Sequence, residues 1–395
     1  MSQPTTRPTM FTVMSPPLSW FELFYDLVFV ATIMIFSNAF SHEPTWENAG
    51  RVAGVFAAVW FVWLLTVVSF SQFEHDDRRH RGLILLQMFL VTLVAVAAGD
   101  GVTDHTLWIG ILAAVLTIVT ALIYLRAALQ EGDPADTPVR RQVAQRAVLA
   151  MLVTAALFAV SGFVSGAVSV IIACAGLAVL VVTALTVVSV RHPDFPGLDR
   201  AHLSERLGAF TIIVCGESFV KVAITAADGT LDGIDVWVMA FEFALVFSVW
   251  WAYFDDIPQA GVPEAGARRS GWVGFHLLLH LALAGVAVGA SKYIVAATDQ
   301  QLSVKQLMML ALPLAIVYLA LAGVGWLSPR RSSAWLTVLR VTTAALIGLV
   351  AVSWWLTHPT RAEGLMGALA AIAFIAATAS SQIMLPTREH EQHHH

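Results

Sequence analysis

Two acidic side chains interrupt a long apolar stretch near the start of the chain. Residues 18–36 read LSWFELFYDLVFVATIMIF, in which Glu22 and Asp26 lie one helical turn apart. Because residues i and i+4 share a helix face, both carboxylates are expected on one side of a helix. A carboxylate in hydrocarbon costs about 2.5–3.5 kcal/mol on insertion scales, so such residues mark proton relays, ion paths or buried ion pairs. The segment therefore predicts a membrane helix with a polar interior face.

Other apolar runs carry the same kind of interruption. The candidate proton or substrate sites are Asp26, Glu217, His280 and Glu242, because carboxylates and imidazoles are the side chains that load and release protons. Each has a structural alternative: Lys221 stands four residues after Glu217 and can neutralise it, and a buried histidine is commonly held by hydrogen bonds. His276 and His280 have a spacing that also suits zinc or iron. Since no further His or Cys lies in the predicted core, we expect no metal and no other cofactor.

A second group of polar and aromatic residues is predicted near one membrane surface. Arg206 follows Glu205 directly and cannot face it, so we expect it to reach Glu22 or Asp26 on the first helix, either as a structural ion pair or within a site. The aromatic residues of this group fit an interfacial belt or a substrate gate. The candidate binding residues are Glu22, Glu205, Arg206, Trp250, Tyr253, Asp255, His276 and Lys221.

The composition identifies the solvent of these helices. Of 395 residues, 58% are hydrophobic and 12% are charged, and the mean hydropathy is +0.75, whereas soluble domains have about 25% charged residues. Most of the chain is therefore expected in lipid. The net charge of −5 without a basic tract argues against a nucleic-acid partner. Cys174 and Cys215 lie in apolar runs and predict no disulfide framework, and the absence of a GxxxxGK[ST] motif excludes ATP-driven transport by this chain alone.

The elements that must position these residues are membrane-spanning helices, each needing about 20 mostly apolar residues. Twelve segments qualify: 18–40, 49–72, 82–99, 104–129, 141–164, 166–190, 203–227, 233–254, 270–295, 303–326, 332–356 and 362–385. The sequence therefore predicts an all-α polytopic membrane protein with about 12 transmembrane helices. Most loop Lys and Arg residues fall on one side, which predicts that both termini are cytoplasmic and favours the plasma (inner) membrane.

The two halves of the chain resemble each other, which predicts two parallel six-helix repeats. Glu22 aligns with Glu205, and the basic pairs at 140–141 and 330–331 precede corresponding helices 190 residues apart. Asp26 has no acidic counterpart, because Ala209 stands there, so Asp26 is favoured for function and Glu22 for holding the halves together. The predicted organisation is a cytoplasmic tail (1–17), a first half (18–190), a cytoplasmic linker (191–202), a second half (203–385) and a C-terminal tail (386–395) whose final histidines are either native or a tag remnant.

Four motifs occur in a fixed order along the chain: WFELFYDLVFV, SERLGAFTIIVCGES, WWAYFD and HLALAGVAVGA. Together they resemble the bacterial low temperature requirement protein A (LtrA) family over essentially the whole chain. The resemblance implies a multi-pass integral membrane protein and implies little about chemistry. The first-half counterpart of WWAYFD is degenerate (SFSQFEHD), so the two halves are not expected to have equal roles.

Three functions remain open from the sequence. The favoured one is a proton-coupled secondary transporter or permease for a small solute, which uses the buried carboxylates and histidine. The second is an intramembrane enzyme that acts on a lipid or isoprenoid-like substrate by acid–base chemistry. The third is a non-catalytic membrane stress or assembly factor whose polar core is structural. The expected partners are membrane lipid and a small-molecule or lipid-like substrate, and the sequence assigns no oligomeric state.

Overall fold

A computed structural model describes residues 20–42, 45–72, 78–99, 101–102, 105–129, 137–192, 198–227, 233–298, 303–330, 334–357 and 362–392. These residues form helices and their connections, without a strand in the described ranges. The helices are α1 (Trp20–His42), α2 (Trp46–Gln72), α3 (Arg78–Gly99), α4 (Thr106–Leu129), α5 (Pro138–Phe163), α6 (Gly166–Ser189), α7 (Arg200–Ala227), α8 (Gly233–Phe254), α9 (Ile257–Ala260), α10 (Gly266–Thr298), α11 (Val304–Leu327), α12 (Ala334–Thr357) and α13 (Ala362–Gln392). The predicted N-terminal tail, 1–17, and His393, His394 and His395 lie outside the described residues.

The twelve predicted segments each coincide with a long helix, and only their ends move. Within the described residues, eleven of these helices are long and apolar enough to cross a membrane; α8, with 22 residues, is not among the eleven. The protein is therefore an all-helical, multi-pass membrane protein. The third helix is longer than predicted, because it begins at Arg78 rather than at residue 82. The short α9 was not predicted.

Two helices lie at the centre of the bundle. The membrane-crossing parts of α2 and α10 are the most deeply buried, at 72% and 67% of their residues. The first helix, α1, packs against α2, α3, α7 and α10, and α7 packs against α8 and α10. The helices α1, α2, α7, α8 and α10 thus enclose the interior in which the ionisable residues lie.

Small residues allow helices to approach closely where the chain turns back on itself. The break between α5 and α6 lies between Gly162 and Gly166, and Gly166 has a φ of +68° that a side chain would disfavour. A Cβ atom at Gly110 on α4 would lie 2.6 Å from the carbonyl oxygen of Phe158 and 2.9 Å from Gly162 Cα. Such close backbone contact is the usual role of small residues between membrane helices.

The connection from α8 to α10 is folded rather than extended. It contains the four-residue α9 and turns at Gly261, whose φ is +78°. Two buried arginines from other elements hold it: Arg340 Nη2 lies 2.9 Å from Asp256 Oδ2, and Arg269 Nε donates to the carbonyl of Pro263 at 2.8 Å. The connection thereby gains a defined position at the end of the bundle.

Candidate functional site

A buried ion pair joins the two halves of the chain near the N-terminal ends of α1 and α7. Arg206 Nη2 donates to Asp26 Oδ1 at 2.6 Å, and the same oxygen accepts a 2.7 Å hydrogen bond from Trp63 Nε1 on α2. Arg206 Nη1 lies 3.7 Å from Glu22 Oε2. We call Glu22, Asp26 and Arg206 the first polar layer. The sequence assigned the joining role to Glu22, but the shorter contact is made by Asp26.

The first polar layer is fully withdrawn from solvent at its centre. The side chains of Asp26 and Arg206 are both 0% exposed. Three of their polar atoms, Asp26 Oδ2 and Arg206 Nε and Nη1, have no hydrogen-bond partner. The guanidinium carbon of Arg206 lies 6.0 Å from the ring centre of Phe70. Removing one member of such a pair leaves a buried charge uncompensated, so the pair makes the contact between α1 and α7 specific.

Above this pair, an aromatic layer of Trp60, Trp63, Phe210 and His280 fills the space between α2, α7 and α10. Trp60 Nε1 donates to His280 Nδ1 at 3.0 Å. His280 Nε2 lies 2.9 Å from Thr211 Oγ1, whose own proton goes to the carbonyl of Leu207. An indole N–H only donates, so Nδ1 of His280 accepts and Nε2 carries the proton. Both ring nitrogens of a neutral His280 are therefore occupied by protein groups.

His276, one turn earlier on α10, is held in the opposite tautomer. Its Nδ1 lies 2.9 Å from the carbonyl oxygen of Trp272, which can only accept. Its Nε2 therefore accepts from the hydroxyl of Tyr253 on α8, at 3.2 Å. Both residues are buried. The structure thus places Tyr253 and His276 together, and neither ring nitrogen of His276 is open to a ligand.

The second polar layer lies toward the C-terminal ends of α1 and α7 and consists of Ser37, Asn38, Glu217 and Lys221. Glu217 is 3% exposed, and neither of its carboxylate oxygens has a hydrogen-bond partner. The Ser37 hydroxyl lies beside it, but its oxygen is not placed for a hydrogen bond. Lys221 Nζ donates to Asn38 Oδ1 at 3.1 Å. Lys221 also acts electrostatically on Glu217, although it donates no hydrogen bond to it, so the neutralising pair that the sequence offers as an alternative stays a prediction.

Glu242 is the other buried carboxylate without a hydrogen bond. It is 1% exposed on α8, and neither oxygen has a hydrogen-bond partner. Phe243, the next residue, stacks on Phe219 of α7 with ring centres 4.9 Å apart. Because α8 carries Phe243 beside Phe219, Glu242 lies at about the same level as Glu217 and Lys221.

The contacts between α1 and α7 show how these helices run. Asp26 meets Arg206, and eleven residues later Ser37 meets Glu217, with the same separation of 180 residues. Contacts that advance in step on both helices require the helices to be parallel. Eleven residues correspond to a rise of about 16 Å. The first and second polar layers are therefore two levels of one interface, with the aromatic layer between them.

Three residues predicted for binding lie apart from this interface. Glu205 is exposed, and Trp250 is 38% exposed and stacks on Phe247 with ring centres 5.5 Å apart. Asp255 Oδ2 accepts hydrogen bonds from Trp251 Nε1 and from Ser381 Oγ on α13, at 3.3 and 2.6 Å. The polar residues named from the sequence lie on the first helix, α7, α8 and α10 or directly after α8. The structure adds α2 to these helices.

Sequence reasoning missed three sets of buried polar residues. Trp60 and Trp63 supply the donors to His280 and Asp26, and their spacing of three residues, which places both on one helix face, is the signal that would have found them. Arg340 on α12 is 1% exposed and was not among the candidate residues named from the sequence. A further buried network centres on Gln87 of α3, which bonds Tyr25, Thr66 and Thr120.

A surface cavity of the described residues lies apart from the polar layers. A cavity of about 550 Å³ opens at the surface between the start of α7, α9 and the connection after α11, and is lined by Arg200, Ser204, Gln259 and Arg330 among others. It does not touch the polar layers. Among the residues that the structure describes, no group of three or more His, Cys, Asp or Glu side chains is arranged to hold a metal ion.

Comparison with known proteins gives a family and one distant relative. The family model described as bacterial low temperature requirement A protein (LtrA) matches residues 18–378, which confirms the resemblance seen in the motifs. An uncharacterized protein of Rhizobium meliloti (strain 1021) is 25% identical over 252 residues, which cover 62% of this chain and 60% of the relative. The chain thus spans less than two thirds of the length of that curated relative.

Proposed function

The chain belongs to the bacterial low temperature requirement A (LtrA) family, and we propose that this integral membrane protein is a proton-coupled secondary transporter for a small solute. The observation that carries the proposal is Glu217, a carboxylate that is 3% exposed and accepts no hydrogen bond at either oxygen. An ionised carboxylate in this state is costly, and Lys221 offsets that cost electrostatically without giving Glu217 a hydrogen bond. Glu217 therefore has a physical reason to take up a proton or a cationic group.

Glu242 supports the same reading from the neighbouring helix. It is equally buried, and no side chain or backbone group bonds its oxygens. Two such carboxylates at one level on α7 and α8 provide more than one place for an exchangeable proton. The sequence named Asp26, Glu217, His280 and Glu242 as candidate proton or substrate sites. All remain candidates, but Asp26 is held by two donors and both nitrogens of His280 are occupied.

The arrangement of layers suits a carrier that opens to one side at a time. Charged groups occupy the first and second polar layers, and the aromatic layer between them is neutral and hydrogen-bonded. In this proposal the Asp26–Arg206 pair closes one end of the α1–α7 interface, and Glu217 is the proton site at the other end. Opening requires α1 and α7 to separate at the ion pair and to close around the second polar layer.

The packing also supports the proposed duplication into two parallel six-helix halves. The helix α1 packs on α3, as α7 packs on α10, and α2 packs on α6, as α8 packs on α13. Parallel running of α1 and α7 is what two halves entering from the same side require. The excess of Lys and Arg in alternate loops then supports cytoplasmic termini and a plasma-membrane location.

The alternatives fit the geometry less well. An intramembrane enzyme needs a general acid or base with a free atom facing its substrate; His276 and His280 use both of their ring nitrogens internally, so this role would fall to Glu217 or Glu242 without a histidine. A purely structural core is expected to satisfy its buried polar groups, whereas Glu217 and Glu242 leave four carboxylate oxygens without hydrogen bonds.

The test is solute-driven proton movement in proteoliposomes. Full-length protein is reconstituted with a pH-sensitive dye inside, and amino acids, sugars, polyamines and carboxylic acids are added one class at a time. We expect at least one class to change the internal pH, and Glu217→Gln to abolish the change. Glu264→Gln, which alters an exposed carboxylate, should leave it intact. Proton movement that Glu217→Gln does not alter, or no movement with any class, would contradict the proposal.

A further inference from the structure

The second polar layer contains buried polar atoms without a hydrogen-bond partner. They are both oxygens of Glu217 and Ser37 Oγ; the Oγ atom of the residue after Glu217, Ser218, also has none, although Ser37 is 4% and Ser218 is 0% exposed. Folded proteins leave few buried polar groups unsatisfied, and those that remain commonly mark a place for water, an ion or a ligand. The second polar layer therefore has the character of a binding site rather than of a packed core.

The same layer carries positive charge next to Glu217. Lys221 lies one turn after Glu217 on α7 and donates to Asn38, the neighbour of Ser37. Lys292 on α10 is close enough to act electrostatically on Lys221. Oppositely charged residues at i and i+4 commonly pair on a helix, and Lys221 acts electrostatically on Glu217, yet Glu217 accepts no hydrogen bond. The acidic and basic groups thus lie side by side without a direct hydrogen bond between them.

The spacing limits the size of the ligand. Four residues of helix correspond to a rise of about 6 Å, and each hydrogen bond to the ligand takes up about 2.9 Å. A ligand that bridges Glu217 and Lys221 must therefore carry its two charged groups close together. An ammonium group and a carboxylate on the same or adjacent carbon atoms meet this condition.

We infer that the second polar layer binds a small zwitterion of the amino-acid type. Its ammonium group donates to Glu217 and to the hydroxyl oxygen of Ser37, and its carboxylate accepts from Lys221. The inference rests on the proposed function and deepens it, because Glu217 is also the proposed proton site. A proton on Glu217 removes the charge that holds the ammonium group, so proton and substrate compete for one carboxylate. Competition of this kind gives exchange: the substrate enters as the proton leaves Glu217.

Binding to the purified full-length protein tests the inference directly. The probes are the individual standard amino acids, each with two matched compounds, the amine that lacks its carboxylate and the acid that lacks its amine. We expect at least one amino acid, and neither of its matched compounds, to raise the midpoint of thermal unfolding by about 3 °C or more at saturating concentration. In weakly buffered solution at a pH where Glu217 holds its proton, the same addition should release protons.

Variants locate the site. Glu217→Gln and Lys221→Met should each remove the thermal shift, and Ser37→Ala, which keeps both charges, should weaken binding about tenfold. Glu264→Gln and Lys305→Gln, at exposed positions, should retain the shift. A shift that survives Glu217→Gln or Lys221→Met, or no shift with any amino acid, would overturn the inference. If a charge variant does not fold, the weaker binding expected for Ser37→Ala still tests the inference.

Failure of this inference is distinguishable from failure of the proposed function. Proton movement driven by a solute that lacks either charge, and retained in Lys221→Met, supports a proton-coupled transporter and overturns the zwitterion site. Amino-acid binding with the expected variant pattern, but without proton movement in proteoliposomes, supports the zwitterion site and overturns coupled transport.

Discussion

Asp26 on α1 accepts a 2.6 Å hydrogen bond from Arg206 on α7, across 180 residues of sequence. Both side chains are fully buried, and Trp63 supplies a second donor to the same carboxylate oxygen. The contact joins the N-terminal and C-terminal halves of the protein at one end of the parallel α1–α7 interface. Removing one partner should destabilise the protein strongly, because an isolated buried charge is far less favourable than the pair.

Asp26→Asn should therefore destabilise the protein strongly. The buried guanidinium of Arg206 loses its nearer counter-charge and keeps only the partly exposed Glu22 at 3.7 Å, and we expect a loss of about 3–5 kcal/mol in the free energy of unfolding. Denaturant unfolding of the purified protein in detergent micelles measures this. Adding Arg206→Gln to Asp26→Asn should recover part of the loss. The control is Glu47→Gln, which breaks an exposed ion pair with Arg51 and should cost less than about 1 kcal/mol. Equal effects of Asp26→Asn and Glu47→Gln would refute this account.

Trp60→Phe removes the donor to His280 Nδ1 while keeping a large aromatic ring. A buried acceptor left without its donor costs about 1–3 kcal/mol, so the unfolding midpoint should fall. The matched control is Trp108→Phe at a side chain that is 59% exposed, where little change is expected. Nitrogen NMR of labelled histidine should show His280 protonated at Nε2 in the unaltered protein. A proton on Nδ1 would rule out the network described for the aromatic layer.

Arg340→Met should loosen the end of the bundle that carries α9. Arg340 contacts Asp256 at 2.9 Å and donates to the carbonyls of Leu321 and Ala252 at 3.1 and 3.2 Å. Its loss removes a buried ion pair with Asp256 and two hydrogen bonds to backbone carbonyls, and we expect a cost of about 3–5 kcal/mol in unfolding free energy. The cost of Arg340→Lys should lie between zero and the cost of Arg340→Met, because lysine keeps the charge but not the planar guanidinium. Arg146→Met, at an exposed arginine, is the comparison, and a similar cost there would count against the assignment.

Gly289→Ala should separate α10 from α11. A Cβ atom at Gly289 would meet the carbonyl oxygen of Met309 and lie 2.6 Å from Leu310 Cα, both backbone atoms that cannot turn away. We expect a clear fall in the unfolding midpoint. Gly274→Ala on the same helix meets no atom within 4 Å and should be neutral or stabilising by up to about 1 kcal/mol. If both variants have the same midpoint, the two helices are not in close contact at Gly289.

The helices themselves could be predicted from the sequence because the membrane imposes their length and polarity. Backbone groups in lipid must bond within each helix, so an apolar run of about 20 residues allows little else. The predicted segment 233–254 matches α8 at both ends, and 166–190 differs from α6 by one residue. The same argument identified Asp26, Glu217, Glu242 and His280 as unusual, since ionisable groups in such runs are costly wherever they face. The buried state of all four was thus implied by the sequence.

The partners of these residues were decided only by the tertiary structure. Helical periodicity states which residues share a face, but not which helix lies opposite, because that depends on how all the helices pack together. Trp60 and Trp63 on α2 were therefore missed as the donors to His280 and Asp26. Arg340 on α12 was missed because its partner, Asp256, lies far away in sequence, in the connection between α8 and α10. The same packing gives Asp26 two donors and leaves Glu217 with none. Sequence alone determined that acids are buried in this membrane protein, and the packing of helices far apart in sequence determined which of them remains unpaired.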